Sequence, residues 1–153
     1  MTGRTVAVAG VTHSTQVRVY YEDTDAAGIV YYANFLKFAE RGRTEMLRSL
    51  GFLHHEIEAN TGVIFAVRWL AVDYIQPARL DDLLRIDTRV VELGAATLRI
   101  EQQIRRDDDV LVTTDILVAC VGRDGKPRRV PDGMRAALAK TAPAAPSIVV
   151  KTP

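Results

Sequence analysis

Apolar positions recur along this chain with two different periods. From Tyr32 to Leu50 the period is three to four residues. At 100° per residue, Phe35, Leu36, Ala39, Gly42, Met46, Leu47 and Leu50 share one face, and Lys37, Arg41, Thr44, Glu45 and Arg48 take the other. The spacing predicts one long amphipathic helix, stopped at Gly51, a residue suited to the left-handed position past a helix end. Elsewhere the period is two. Val17 to Tyr21 predicts a first strand, rich in β-branched and aromatic residues. A short connection, Phe52 to Thr61, leads to a long strand from Val63 to Ile75. Its two faces are both apolar: Ile64, Ala66, Leu70 and Val72 on one, Val63, Phe65, Val67 and Trp69 on the other. A strand of that kind is covered on both sides. One helix covers one face of a sheet, so the pattern predicts a second subunit.

The Pro-containing turn QPARLDD leads into a strand from Leu84 to Leu93, which turns at Gly94. The strand Thr97–Arg105 alternates Leu98, Ile100 and Ile104 against Arg99, Glu101, Gln103 and Arg105. After a polar turn at Asp107–Asp109, Val110 to Val121 predicts the last strand. Asp124–Gly125 signals a turn, and Pro131 to Lys140 predicts a short terminal helix. One strand, one long helix and four consecutive strands argue an α+β fold with an antiparallel sheet around the helix. Residues 1–12 are expected to be a flexible leader and 141–153, rich in Pro and Ala, a disordered tail, leaving a domain over 13–140. Gly42 stands in the middle of the apolar helix face. A mid-helix Gly costs about 1 kcal/mol relative to Ala, so it predicts very close packing there. Arg43, near the same face, is expected to snorkel or to be ion-paired.

Composition narrows the function classes. The chain has 153 residues, 48% hydrophobic and 25% charged, as in an ordinary single-domain globule. Its 20 basic and 19 acidic residues give a net charge of +1, no reason to expect a nucleic acid or an anionic membrane as partner. The single cysteine, Cys120, lies in an apolar run and is expected to be a buried small hydrophobe in a reducing compartment. No run is long enough to span a bilayer and the N-terminus is too weakly apolar and basic for a signal peptide, so the cytoplasm is expected. His13, His54 and His55 have no zinc-site spacing with Cys or with one another, and no metal or cofactor is expected.

Candidate chemistry gathers in the loop before the helix. Asp25 precedes Gly28 and stands a few residues ahead of the helix N-terminus, where backbone N–H groups are unpaired and the dipole is positive. A carboxylate beside aligned donors suits acyl transfer: it attacks or activates water while the donors hold the oxyanion. The plainer reading makes Asp25 a turn or N-cap residue. Glu22 and Asp23 read as turn carboxylates or backbone acceptors, and Asp81 and Asp82 as turn residues. Lys126, Arg128 and Arg129 form a basic cluster, either solvated or able to meet phosphates.

The segment YYEDTDAAGIVYYANFLKFAERGRTEML resembles the acyl-CoA thioesterases of the hotdog fold, in the 4-hydroxybenzoyl-CoA and Tol-Pal-associated branch. YIQPARLDDLLRIDT, GAATLRIEQQI and GKPRRVP are similar in kind and spacing, so the resemblance covers roughly residues 15–135. It implies a hotdog fold and hydrolysis of acyl-CoA thioesters to free acid and CoA. It implies Asp25 as the catalytic carboxylate, with the Tyr32 backbone N–H polarising the carbonyl. Gly28 of the signature joins the catalytic turn, and Tyr21, Val30, Tyr31, Arg128 and Arg129 the substrate-binding surface. Relatives with His in place of Tyr32 share only the N–H with this chain. Some hotdog thioesterases use a helix Glu, which would be Glu40 here. The resemblance also implies homodimers, usually paired into tetramers, with active sites between subunits. The other readings are a hotdog module that binds acyl-CoA without cleaving it, and an aspartate-phosphatase loop at Asp23-Thr24-Asp25. The latter would need a parallel α/β sheet.

Overall fold

The computed structural model of the chain describes residues 6–7 and 12–140. Six strands form one sheet: β1 (Val6–Ala7), β2 (Thr12–Arg18), β3 (Ile64–Tyr74), β4 (Leu83–Leu93), β5 (Thr97–Arg106) and β6 (Asp109–Val121). Three helices complete it: α1 (Asn34–Ser49), α2 (His54–Thr61) and α3 (Asp132–Ala139). All strand pairings are antiparallel, in the order β4–β5–β6–β3, with β1 and β2 both lying along the other side of β4. Helix α1 packs on β2, β4 and β5. This is the hotdog arrangement expected above.

Alternation decides which side chains meet the helix. On β5, Leu98, Ile100, Gln102 and Ile104 are buried, while Arg99, Glu101, Gln103 and Arg105 lie on the outer face. There the charges pair sideways: Arg99 bonds Asp115 at 2.6 Å and Glu92 at 3.2 Å, and Arg85 and Arg105 flank Asp87. The core under α1 has two parts. Phe35, Phe38 and Ala39 pack with Val19, Leu84 and Ile104; Met46 and Leu47 pack with Leu98, Ile116 and α3 residues Met134 and Leu138. A polar layer lies between them. The buried Gln102 amide donates to the Ala39 carbonyl (2.8 Å) and to Thr88 Oγ1 (2.9 Å), and its oxygen accepts from Arg43 (3.0 Å). Gly42 sits on this layer. A Cβ there would lie 2.5 Å from Ile86 Cγ2 and 2.9 Å from Gln102 Nε2. Its predicted close packing is therefore real.

Several boundaries differ from the sequence pattern, each for a non-local reason. The first strand runs Thr12–Arg18 instead of Val17–Tyr21, because seven residues of mostly polar chain find partners along β4. Val6–Ala7, within the expected leader, also pairs with β4; the expected tail 141–153 lies outside the described residues. Helix α1 begins at Asn34, two residues later than predicted. The connection Phe52–Thr61 contains α2, which buries only Ile57 and so shows little periodicity; it ends at Gly62, whose φ of 73° is left-handed. Strand β3 has a bulge between Val67 and Trp69. The extra residue shifts the alternation, so Phe65, Val67, Leu70 and Val72 share the helix-facing side, which corrects the two-faced assignment above. One of these stays poorly covered: Val67 is 55% exposed, and on the outer side Trp69 is 50% exposed. No helix of the described residues is long and apolar enough to cross a membrane.

Candidate active site

The chain leaves the core at Val19, whose N–H bonds the Asp82 carbonyl, and turns through a 3-10 turn at Tyr21–Asp23. The buried Asp23 carboxylate clamps this turn to the helix. Oδ2 accepts the Tyr20 N–H (2.8 Å) and Oδ1 accepts the Asn34 side-chain amide (3.0 Å), while its carbonyl accepts the Tyr31 N–H (2.8 Å). Asp23 is thus a backbone acceptor, the plainer of its two readings, and it fixes the loop on both sides of Asp25.

Between these anchors the chain makes a small hairpin. Thr24 bridges Val30, the Asp25 N–H bonds the Ile29 carbonyl (2.9 Å), and the Gly28 N–H bonds the Asp25 carbonyl (3.0 Å). Gly28 has φ 77° with open space around it, so the turn needs glycine for its backbone and not for lack of room. The Asp25 carboxylate is exposed and accepts one bond, from the Ala27 N–H at 2.8 Å. Its other oxygen is free to act.

Tyr32 lies in the turn just before α1. Its carbonyl accepts the Tyr74 hydroxyl at 3.0 Å, across 42 residues of sequence. Within the described residues no acceptor takes its N–H. The donor is therefore available to an incoming oxygen, although it precedes the first helical turn instead of belonging to it. The five tyrosines of the chain, Tyr20, Tyr21, Tyr31, Tyr32 and Tyr74, are all exposed and surround this loop. Tyr31 and Tyr32 meet edge to face at 4.9 Å, and Tyr32 and Tyr74 at 6.1 Å. The neighbouring Tyr32 phenol, helped by the Asp25 charge, raises the Tyr31 phenol above its ordinary pKa; burial does the same to Tyr74. Both rings stay neutral near pH 7.

The structure brings Asp25, Gly28, Tyr31 and Tyr32 together, with Tyr21 on the neighbouring turn. It separates the others. Val30, expected at the substrate surface, is 3% exposed and packs in the core beneath the loop, because its N–H is tied to the Ala78 carbonyl. Arg128 and Arg129 follow β6 at the end of the sheet where Val121 pairs with Ile64. The loop of Asp25 lies at the other end of β3, beside Tyr74. Ten strand residues span about 33 Å, so one chain does not unite the two. Sequence reasoning missed Asn34 and Tyr74. A polar residue on the buried face at the helix start signalled Asn34; no local signal marks Tyr74.

A cavity of about 140 Å³ lies beside the second half of α1, walled by Met46, Leu47, Phe65, Leu98, Ile100 and Val118, with Glu40, Arg43, Thr44 and His54 also on its lining. Glu40 is exposed and accepts from Thr44 at 2.9 Å. Among the described residues no cluster of His, Cys, Asp and Glu is placed to hold a metal ion.

Residues 27–113 match the thioesterase superfamily, starting two residues after Asp25. The chain is 45% identical to the acyl-CoA thioesterase YbgC of Haemophilus influenzae over 126 residues, 82% of this chain and 93% of that protein. It is 44% identical to the acyl-CoA thioester hydrolase YbgC of Escherichia coli O157:H7 over 117 residues, 75% and 87% of the two chains. The crystal structure of a probable thioesterase from Bartonella henselae superposes with a TM-score of 0.77 at 40% identity, covering 79% of this chain and 100% of that one.

Proposed function

The chain belongs to the thioesterase superfamily, and from that premise we propose that it hydrolyses acyl-CoA thioesters to the free acid and CoA, with Asp25 as the catalytic carboxylate. The observation that carries the assignment is Asp25 itself: exposed on a clamped turn, accepting among the described residues only the Ala27 N–H, and in the same loop as the Tyr32 N–H, which has no acceptor among them. The carboxylate attacks the thioester carbonyl carbon, or takes the proton of a water that does. In either route the carbonyl oxygen becomes an oxyanion and accepts the Tyr32 N–H. The C–S bond then breaks and the thiolate leaves; in the covalent route a water then hydrolyses the Asp25 anhydride to the free acid, and in the water route Asp25 passes its proton to the thiolate or to solvent, so the carboxylate is regenerated in both. A thiol of pKa about 8.5 needs no general acid, in keeping with a loop that holds no His. Gly28 shapes the turn, and Tyr21 and Tyr31 line the approach.

The active unit is a homodimer paired along β3. In support, β3 is an 11-residue edge strand bonded among the described residues only to β6, and such a free edge invites pairing. Trp69 on its outer side and Val67 and Tyr74 on its helix-facing side are exposed, apolar surface that a second copy would cover. Antiparallel pairing about Trp69 sets Ile64 opposite the partner subunit's Tyr74. The basic loop of one protomer then approaches the catalytic loop of the other, so Arg128 and Arg129 would meet CoA phosphates across the interface.

The test is free-thiol release from short, medium, long and aryl acyl-CoAs, with light scattering on the same sample. Wild-type protein should be at least a dimer and turn over, and Asp25→Asn should not. A folded protein that binds acyl-CoA but releases no thiol from any of them would refute hydrolysis and leave the binding-module reading. A stable monomer at micromolar concentration would refute the shared site.

A further inference from the structure

Arg43 is half-buried on the edge of the helix's apolar face, and it is not ion-paired: no carboxylate lies within ion-pair distance of it among the described residues. Among the described residues its one hydrogen bond goes to a neutral acceptor, Gln102 Oε1 at 3.0 Å. A guanidinium has five N–H donors. The rest find no protein acceptor, yet none of those nitrogens is sealed off, and the side chain lines the cavity beside α1. Burial pushes its pKa below the ordinary value, against the pull of Glu40, and an arginine stays charged throughout. Half-buried and without a counter-charge among the described residues, this cation keeps donors available to a cavity walled by Met46, Leu47, Phe65, Leu98, Ile100 and Val118, with Glu40, Thr44 and His54 beside them.

We propose that Arg43 makes this cavity a subsite for acyl groups that carry a carboxylate at their far end. This rests on the thioesterase reading and names its substrate class. The aliphatic spacer lies along Met46, Leu98, Ile100 and Val118, and the terminal carboxylate accepts the free Arg43 donors, a geometry that suits two parallel bonds. Glu40 on the same lining opposes an incoming anion. It is exposed and therefore more strongly screened by solvent than the half-buried Arg43. Phe65 and Val67 place the cavity on the half of β3 that antiparallel pairing sets next to the partner's catalytic loop.

The experiment compares kcat/KM for chain-matched pairs, adipyl-CoA against hexanoyl-CoA and succinyl-CoA against butyryl-CoA. The wild type should favour the dicarboxylic member of at least one pair. Arg43→Met should lower that ratio about ten- to a hundredfold, the range for a hydrogen bond to a charged group, and Arg43→Lys should restore part of it. Glu40→Gln, at an exposed position that still accepts from Thr44, should raise the ratio. Should Arg43→Met fail to fold, Glu40→Gln decides alone. Binding of adipyl-CoA and hexanoyl-CoA to Asp25→Asn, by calorimetry, reads the subsite without turnover. Hydrolysis of hexanoyl-CoA with no dicarboxylic preference, and a ratio unmoved by these variants, would overturn the subsite and leave the thioesterase reading intact. No hydrolysis of any acyl-CoA, with tighter binding of adipyl-CoA retained, would overturn the thioesterase reading alone.

Discussion

Asp23 and Asp25 stand two positions apart, and replacing each by Asn separates folding from chemistry. Asp23 is 5% exposed, and its two oxygens each accept one donor, the Tyr20 N–H at 2.8 Å and the Asn34 amide at 3.0 Å. Asparagine fills the same volume but turns one acceptor into a donor, so either orientation sets donor against donor. Losing a hydrogen bond to a charged group costs about 1.5–3 kcal/mol. For a chain of this size each kcal/mol moves Tm by roughly 2–4 °C, so Asp23→Asn should melt roughly 3–12 °C lower. It should also lose activity, up to about 10²-fold, because loosening the clamp lets the Asp25 loop shift, and a misplacement of about 1 Å costs that much. Asp25→Asn should do the reverse. Its one bond, from the Ala27 N–H, can be kept by the amide oxygen. Its stability should stay within about 0.5 kcal/mol of wild type, while turnover falls at least about 10²-fold. Thermal unfolding and thiol release on the same preparations read both. An Asp23→Asn protein that melts and turns over like wild type would refute the clamp. Wild-type turnover in Asp25→Asn would remove Asp25 from the mechanism.

Tyr32→Phe should keep most activity and Tyr32→Pro, which deletes the N–H, should lose about 10²–10³ in rate; equal damage from both would make the hydroxyl the working group. Gly42→Ala should lower the denaturant midpoint. The new Cβ lies 2.5 Å from Ile86 Cγ2, and overpacking costs about 1–3 kcal/mol against about 1 kcal/mol gained in helix propensity; a higher midpoint would show that the layer yields. Burial pushes the Cys120 thiol up to about 11. The unfolded chain therefore loses this proton first, and the Cys120 contribution to stability should disappear as pH rises from about 9 toward 11. A wild-type minus Cys120→Ala stability difference that is flat over that window would contradict this.

Periodicity is a local property, and what it encodes was legible. The three-to-four spacing from Phe35 to Leu50 marked the helix and its buried face, and the alternation in Thr97–Arg105 marked a strand with one charged side. A glycine in the middle of an apolar stripe marked the closest approach of helix to sheet, since only a backbone without Cβ fits there. The Asp25–Gly28 turn was legible for the same reason, because its left-handed glycine is a local backbone requirement. Relations between distant segments were not legible. The polar strand Thr12–Arg18 exists because β4 offers it partners, and the β3 bulge exchanges which side chains face the helix. The bond from Tyr74 to the Tyr32 carbonyl, the grip of Asn34 on Asp23 and the isolation of Arg43 beside Gln102 all depend on how the sheet and helix come together. The placement of Arg128 and Arg129 depends on it most. They share a short motif-like run, but the length of β3 sets them about 33 Å from the Asp25 loop of their own chain. The proposed pairing of β3 edges would close that distance, and its register is set by the strand edge the fold leaves open, not by spacing along the chain.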